Sequence, residues 1–203
     1  MNTNRQLSNI KQRFEHLVNV LSSDRFLKMR GLNNEVPFFI CPYVPEEAVE
    51  MTELHDSLVI RLQRDGINIL NIDLYDLVIE ILKENEDWEW YLENEKTISK
   101  AQLKEDLQGI LHIERVLVPK IREKMDESAF DVMFLSGVGE VFPYIRSHNV
   151  LNNLQKVAKD KPTLMFFPGT YTQSKEAGGS LDLFDRLHDD KYYRAFNIYY
   201  YEP

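Results

Sequence analysis

A strand-like apolar segment in the second half of the chain leads directly into two glycines that could approach a phosphate. The segment reads FDVMFLSGVGEVFP, and one residue separates Gly137 from Gly139. Dinucleotide-binding turns use G-x-G-x-x-G because the glycines permit a tight turn and let backbone amides approach the pyrophosphate. Here Phe142 replaces the third glycine, and Pro143 follows it. The pair therefore predicts a tight turn, with positive φ at one glycine, and argues against a dinucleotide site.

The segment that would have to form a P-loop is also unsuited to phosphate. A P-loop needs a glycine-rich turn and a lysine after the first strand. The corresponding segment, ICPYVPEEAVE, has neither, and its prolines Pro42 and Pro45 donate no amide hydrogen. Glu46 and Glu47 would place carboxylates where a phosphate should lie. We therefore expect no P-loop nucleotide site.

Polar side chains cluster just beyond the end of the third predicted strand, beginning at Arg146. Ligands of open α/β sheets bind at this edge of the sheet, so the cluster predicts a pocket for a ligand or a partner protein. The candidate pocket residues are Gly137, Gly139, Glu140, Arg146, Ser147, His148 and Tyr171. In the alternative interpretation, Arg146 pairs with a nearby carboxylate and Ser147 caps a helix.

Other catalytic and metal-binding patterns are weak. A serine-hydrolase elbow needs G-x-S-x-G, but Phe134 occupies the first glycine position before Ser136. A triad that joins Ser136 or Ser147 with His148 stays open as an alternative. The five histidines show neither H-x-x-x-H nor H-E-x-x-H spacing, and the single cysteine, Cys41, lies in an apolar segment where a thiol behaves as a small hydrophobe. We expect neither a metal nor a cofactor.

Strand and helix patterns alternate along the chain and must position these residues. Apolar or β-branched segments predict five strands at 36–43, 67–74, 130–137, 162–169 and 192–203. Amphipathic helical patterns separate the first four strands, while residues 170–182 are predicted as a loop and 180–190 as a short helix. This alternation predicts an α/β fold with a mainly parallel five-stranded sheet flanked by helices.

The 203 residues fit one domain, 1–203, that begins with an amphipathic helical region at 1–30. Between the second and third strands the helical pattern is longer than a crossover requires, which predicts a helical insertion at 84–126. Residues 84–95 of the insertion carry six acidic side chains and no basic one. Such a segment is either a solvated helix face or a docking surface. The candidate partner-binding residues are Glu86, Asp87, Trp88, Trp90 and Tyr91.

The net charge of −9 argues against strong nucleic-acid binding, because backbone phosphates require a basic surface. No apolar run approaches the roughly 20 residues of a membrane helix, and the N-terminal segment lacks the features of a signal peptide. We therefore expect a cytoplasmic protein without membrane contact. The first 30 residues carry six basic groups against two acidic ones, so contact between this helix and DNA remains an alternative.

The layout resembles the five-stranded core of P-loop ATPases of the AAA type. In those enzymes the third strand ends in acidic residues that organise magnesium and water. Here Ser136 and Gly137 stand at that place, and only Glu140 is nearby. The resemblance therefore implies a degenerate core that lacks both the phosphate loop and the metal ligand.

Longer motifs resemble the BrxB family of the BREX phage-defence systems. They are GLNNEVPFFI, INILNIDLYDL, VMFLSGVGEVFPYIRSHNVLNNL, MFFPGTY and DDKYYRAFNI, in the expected order between Phe14 and Ile198. The resemblance implies a place in a bacterial antiviral operon beside a methyltransferase, a large ATPase and a PglZ-type phosphatase-like protein. It implies no reaction, because the family has none established.

Three hypotheses follow. The favoured one is a non-catalytic interaction subunit that binds the PglZ-type protein and other BREX subunits. The second is a weak nucleotide-binding or hydrolysing subunit that uses the turn from Gly137 to Glu140 together with Arg146. The third is a DNA-contacting accessory protein that uses the basic N-terminal helix.

Overall fold

The computed structural model describes residues 9–30, 37–174, 178–187 and 195–203. Within these ranges the helices are α1 (Ile10–Leu21), α2 (Asp24–Leu27), α3 (Ala48–Arg64), α4 (Leu74–Glu84), α5 (Trp88–Asn94), α6 (Lys100–Ile110), α7 (Val118–Glu127) and α8 (Ser147–Val157). The strands are β1 (Phe38–Tyr43), β2 (Ile69–Asp73), β3 (Val132–Ser136), β4 (Thr163–Ser174), β5 (Gly178–Leu183) and β6 (Phe196–Asn197). Short 3-10 turns at Pro45–Glu47 and Ile198–Tyr200 and a π-helical turn at Ile113–Leu117 complete the described elements.

A parallel sheet with the strand order β2-β3-β4-β1-β6 forms the centre of the molecule. In the middle strand, β4, Met165 is paired with Ile40 of β1 on one side and with Leu135 of β3 on the other. The edge strands β2 and β6 run parallel to β3 and β1. The structure therefore confirms a mixed α/β fold with a mostly parallel sheet flanked by helices.

Helices cover both faces of this sheet because alternate strand residues enter two separate apolar cores. Phe38 and Ile40 of β1 belong to the core beneath α4, α5, α6, α7 and α8. Phe39 and Cys41 belong to the core beneath α1, α2 and α3. Cys41 is fully buried, as its apolar surroundings in the sequence predict.

The predicted insertion is helical and packs against the sheet. Leu107 of α6 and Ile121 of α7 share one apolar core with Met133 of β3. Lys120 of α7 also reaches back to α4, where its Nζ lies 2.7 Å from a carboxylate oxygen of Glu84. These contacts hold the additional helices against the same face of the sheet as α4.

The region after the centre of β4 differs from the sequence-based prediction. Residues 170–182 were predicted as a loop and 180–190 as a helix, but β4 continues to Ser174 and pairs with antiparallel β5, so the described sheet has six strands. Leu181 and Leu183 are both buried, and this spacing of two residues is typical of a strand with one face in the core. Gly179 supplies space: a Cβ there would lie 2.8 Å from the Tyr171 hydroxyl oxygen. The end of the predicted helix, 188–190, lies outside the described residues.

The last predicted strand is also shorter than expected. Residues 192–194 lie outside the described ranges, and the strand itself contains only Phe196 and Asn197. The Asn197 side chain accepts a hydrogen bond from the Tyr199 amide at 3.0 Å and thereby starts a 3-10 turn. A capping side chain of this kind diverts the backbone from the sheet, which apolar content alone does not reveal.

Candidate functional site

The carboxyl ends of β2 and β3 are joined by a side-chain hydrogen bond. Asp73 and Ser136 are register partners, and the Ser136 hydroxyl donates to Oδ2 of Asp73 at 2.8 Å. The other oxygen, Oδ1, accepts from the amides of Tyr75 and Asp76 at 2.8 and 3.2 Å and so caps α4. One carboxylate therefore joins the sheet edge to α4, the helix that directly follows β2.

The Gly137 turn is shaped to fit Asp73. Gly137 has φ +73°, and a Cβ at this position would lie 2.6 Å from Oδ1 of Asp73. Its carbonyl oxygen accepts hydrogen bonds from the amides of Glu140 and Val141. The predicted tight turn with one positive-φ glycine is confirmed. Because these two amides are used within the turn, they are not directed at a ligand.

A cavity of about 380 Å³ opens beside this turn, and we call it the acidic cleft. Its lining includes the carboxylates of Asp56, Asp73, Asp76 and Glu140. Burial raises the pKa of Glu140 above its usual value, and the charges of Asp73 and Asp76 raise it further. The cleft therefore has a negative potential, which disfavours an anionic ligand.

His55 of α3 lies in the wall of the acidic cleft and is only 9% exposed. Its ring nitrogens lie 3.0 Å from Oδ1 of Asp56 and 3.0 Å from Oδ1 of Asn71. Ser136 instead donates to Asp73, so the histidine and the serine of this cleft do not form a nucleophile and base pair. His55 is not among the residues predicted from the sequence, although a polar residue on the apolar stripe of α3 is a signal for it.

A second cavity, of about 690 Å³, lies beyond the carboxyl end of β1 and beside Gly169, Thr170 and Tyr171 in the middle of β4, and we call it the tyrosine cavity. Its lining includes Tyr43, Tyr171, Tyr199, Tyr200 and Tyr201. Tyr43 also lines the acidic cleft, so the two cavities share this residue. Burial raises the pKa of Tyr43 to about 12, with further contributions from Cys41, Glu140 and Asp73, and its phenol is neutral at pH 7.

The segment that follows β1 has the features that the sequence predicted for the P-loop position. The Glu47 amide donates to the Val44 carbonyl oxygen at 2.8 Å, and both Glu47 carboxylate oxygens bind the Arg13 guanidinium from α1. Pro42 and Val44 line the same tyrosine cavity. A carboxylate and its own arginine thus occupy the edge of the sheet where a P-loop would direct amides at a phosphate.

The predicted pocket residues occupy several different environments. Gly137 and Glu140 line the acidic cleft, whereas Tyr171 lines the tyrosine cavity and donates from its hydroxyl to the Ala195 carbonyl oxygen at 2.7 Å. A Cβ on Gly139 would lie 3.0 Å from the Phe184 ring. These residues therefore do not share a single cavity.

The remaining three predicted pocket residues lie around the start of α8. Arg146 occupies the N-cap position and is exposed, while Ser147 is the first helical residue, so the alternative of a Ser147 cap is wrong. His148 is 1% exposed on the buried face of α8. None of the three lines either the acidic cleft or the tyrosine cavity.

The acidic aromatic segment presents one tryptophan outward. Trp90 is 50% exposed and contacts the buried Tyr91 ring edge-on, with 5.0 Å between ring centroids. Trp88 packs against the core, and the Lys83 ammonium lies 5.7 Å from its ring centroid. Leu92 is 51% exposed. We call Glu89, Trp90, Leu92 and Glu93, all exposed, the α5 surface.

The other two predicted partner-binding residues precede the α5 helix. Glu86 has φ +63° and is exposed, and Asp87 takes the N-cap position without a side-chain cap hydrogen bond. They place further carboxylates beside the α5 surface.

Metal and thiol chemistry gain no support in the described residues. No group of three or more His, Cys, Asp and Glu side chains among them is arranged to hold a metal ion. The Cys41 sulfur lies 3.3 Å from the Tyr199 hydroxyl oxygen, and burial raises the pKa of this thiol to about 12. Such a thiol stays protonated and unreactive at neutral pH. None of the helices in the described ranges combines the length and apolar character that crossing a bilayer requires.

Comparison with known proteins places the chain in a family. The profile described as BREX protein BrxB matches residues 70–198. A BREX protein BrxB of Bacillus cereus (strain H3081.97) is 36% identical over 200 residues, covering 93% of this chain and 97% of the relative. One of Escherichia coli O9:H4 (strain HS) is 29% identical over 189 residues, covering 93% and 91%. No solved structure matches. The resemblance seen in the sequence motifs is therefore confirmed, and the chain belongs to the BrxB family of BREX proteins.

Proposed function

We propose that this protein is a non-catalytic interaction subunit of a BREX phage-defence assembly, and that its α5 surface binds the PglZ-type component of the same system. Membership of the BrxB family supports the assembly, since BREX components act together. The exposed Trp90 is the observation that carries the proposed binding surface.

Trp90 has the properties of an interface anchor. Half of this large side chain is exposed, and its contact with the buried Tyr91 limits its conformational freedom before a partner arrives. Tryptophan at the centre of an interface contributes large apolar area at low entropic cost. Leu92 is also exposed on this short helix, but it lies two residues after Trp90 and so projects in a different direction.

The carboxylates around Trp90 suit the rim of the same interface. Glu89 and Glu93 flank the apolar side chains of the α5 surface and are exposed. Charges in such a rim steer association and select a partner more than they add affinity. The arrangement supports a partner surface that is apolar at its centre and basic at its edge.

The sheet supports a scaffold role over a nucleotide enzyme. Its parallel strands and flanking helices are compatible with a degenerate P-loop ATPase core. At the edge where such a core would bind phosphate, this chain carries the Arg13–Glu47 pair. The turn from Gly137 to Glu140, which the enzyme hypothesis would use, faces three carboxylates in the acidic cleft and not Arg146.

Contacts of the basic N-terminal residues weigh against the DNA hypothesis. Arg13 binds Glu47, Lys28 binds Asp24, and the Arg25 guanidinium lies 4.8 Å above the Tyr201 ring. Cations that already have acidic or aromatic partners release fewer counterions when DNA approaches. We therefore expect only weak, salt-sensitive affinity for duplex DNA.

Capture of the PglZ-type protein tests the proposal. The tagged full chain should capture that protein from its own operon, and Trp90→Ala should reduce the association constant at least about tenfold, as expected for an interface anchor. Trp88→Ala is a poorer test because Trp88 packs against the core.

Ile60→Ala provides a matched control. Ile60 is 51% exposed on α3, on the opposite face of the sheet, so its truncation removes an apolar side chain of similar fractional exposure away from the α5 surface. It should leave capture unchanged. Undiminished capture by a normally folded Trp90→Ala variant would exclude the α5 surface, and failure of the parent chain to capture the PglZ-type protein would remove the proposed partner.

A further inference from the structure

We propose a second interaction surface, in which the acidic cleft and the tyrosine cavity together accept an extended basic segment of a partner protein, with lysine or arginine side chains on both sides of Tyr43. This surface lies at the carboxyl edge of the sheet, away from the partner site proposed on α5.

The shape of this edge suits an extended occupant. The two cavities measure about 380 and 690 Å³ and share Tyr43 in their linings. Each falls within the range of roughly 300–1,000 Å³ that is typical of ligand pockets. Two such recesses on either side of one ring fit a chain that presents successive side chains better than they fit one compact molecule.

The charge of the lining selects a cation. Carboxylates come from both cavities: Asp56, Asp73, Asp76 and Glu140 from the acidic cleft, and Glu47, Asp185 and Glu202 from the tyrosine cavity. Among the described lining residues, Arg13 is the single arginine or lysine, and it already binds Glu47. The excess of carboxylates favours lysine and arginine side chains and repels phosphate groups.

Two of the four carboxylates of the acidic cleft are available to a ligand. Asp73 is occupied by three internal donors. Asp76 and Glu140 are exposed, and none of the salt bridges between described residues includes either of them. Although the residue is exposed, partial desolvation of its carboxylate raises the pKa of Glu140, and repulsion by Asp73 and Asp76 raises it further. A bound cation would relieve that repulsion.

The chain itself shows how this edge holds a guanidinium. Arg13 extends from α1 into the tyrosine cavity, where its side chain is only 13% exposed, and binds both oxygens of Glu47 beside Tyr199. Nearby, the Arg25 guanidinium lies 4.8 Å above the Tyr201 ring centroid. Carboxylates and tyrosine faces are the two groups that arginine prefers as partners. An arginine of a partner would meet the same chemistry at Glu140, Asp76 and the exposed Tyr75.

Fluorescence anisotropy with the full chain tests this proposal. The probe is a labelled nine-residue peptide of alternating glycine and arginine, and the comparison probes are the matched glycine and glutamate peptide and ATP with magnesium. Only the arginine peptide should bind, and its affinity should fall as the salt concentration rises.

Isosteric variants locate the site. Glu140→Gln combined with Asp76→Asn should weaken the arginine peptide about tenfold, because two charge contacts are lost while the side-chain shapes remain. Tyr200→Ala in the tyrosine cavity should weaken it as well, since Tyr200 is 58% exposed there. The matched control, Glu89→Gln with Glu93→Gln, removes the same charge from the α5 surface and should bind like the parent.

Three results would overturn the proposal: no binding of the arginine peptide at low salt, an equal loss in the α5 control, or full affinity in the Tyr200→Ala variant. An equal loss in the α5 control would mean that the peptide binds by unspecific charge attraction. Full affinity in the Tyr200→Ala variant would mean that the peptide does not extend from the acidic cleft past Tyr43 into the tyrosine cavity. Each is independent of whether Trp90→Ala affects capture of the PglZ-type protein, so the two surfaces are tested separately.

Discussion

Asp73 and Ser136 face each other at the ends of two parallel strands, and the serine hydroxyl donates to the carboxylate at 2.8 Å. The same carboxylate caps α4. This pair joins the crossover helix, the sheet edge and the wall of the acidic cleft.

Asp73→Ala should lower the free energy of unfolding by about 1–2 kcal/mol, because α4 loses its N-cap and Ser136 loses its acceptor. Asp73→Asn should cost less, since its amide oxygen can still cap the helix. Urea denaturation measures both values. Asp65→Ala is the control: Asp65 pairs with Arg61 on the surface, and its loss should cost only about 0.3–0.5 kcal/mol. Equal losses for Asp73→Ala and Asp65→Ala would contradict the proposed role of Asp73.

Two glycine substitutions should have opposite effects on stability. Gly137→Ala forces a side chain into φ +73° and places its Cβ 2.6 Å from Asp73, so we expect a loss of about 1–3 kcal/mol. Gly109→Ala lies within α6 with no atom within 4 Å of the new Cβ. It should stabilise the protein by about 0.5–1 kcal/mol. Thermal melting compares the two, and destabilisation by Gly109→Ala would show that α6 is not a regular helix.

Glu80 should give stability that depends on pH. Its hydrogen bond with Lys124 lowers its pKa below the ordinary value of 4.5, and the charges of Lys124 and Lys120 lower it further. The unfolded chain then binds this proton more readily, so the stabilisation is present above pH 4.5 and is lost as the pH falls through the folded pKa. Glu80→Gln should be less stable by about 0.5 kcal/mol at pH 7. The difference should disappear in acid, and a difference that persists there would contradict the ion pair as its cause.

The contribution of Glu140 to stability should have the opposite dependence on pH. Its pKa is raised by burial and by Asp73 and Asp76, so the folded protein holds this proton more tightly than the unfolded chain. Protonated Glu140 therefore contributes to the stability of the folded protein below its ordinary pKa of 4.5. This contribution is lost as the pH rises through the pKa that Glu140 has in the folded protein. Glu140→Gln should therefore have a higher melting temperature than the parent at pH 7 and an equal one in acid. A lower melting temperature at pH 7 would mean that Glu140 has a cationic partner in the free protein.

Calorimetry with ATP and magnesium should show no binding at physiological concentrations. The P-loop position holds the Glu47 carboxylate, and the Gly137 turn borders the acidic cleft, so both sites repel a triphosphate. The same titration with Arg146→Ala is the comparison. Micromolar affinity in the parent that disappears in this variant would favour the nucleotide enzyme over the interaction subunit.

Some of these features could be predicted from the sequence because they depend on local pattern. The apolar segments that became β1, β2 and β3 and the positive φ of Gly137 followed from residue type alone. The β4–β5 hairpin could not be predicted in this way, since its stability depends on Tyr171 packing over Gly179, a contact between strands. The alternation of Leu181 and Leu183 indicates a strand only when β4 is known to lie beside this segment and to pair with it.

The candidate site was harder to predict because its members are distant in sequence. Asp73 and Ser136 are 63 residues apart and meet only through strand pairing. His55 reaches the acidic cleft from a helix on another part of the chain. Arg146 and Ser147, which lie close to Gly137 in sequence, are carried to the start of α8 instead. Proximity along the chain was thus a poor guide to proximity in space.

The long strand β4 belongs to two structures at once. From Thr163 to Pro168 it is the central strand of the parallel sheet, and from Gly169 to Ser174 it is one arm of the hairpin with β5. At the junction Gly169 has φ +146°, and a Cβ there would lie 2.1 Å from the Asp182 carbonyl oxygen. The antiparallel part of β4 is therefore continuous with the central strand, so a partner that binds along β5 would contact a strand whose backbone runs directly into the middle of the parallel sheet.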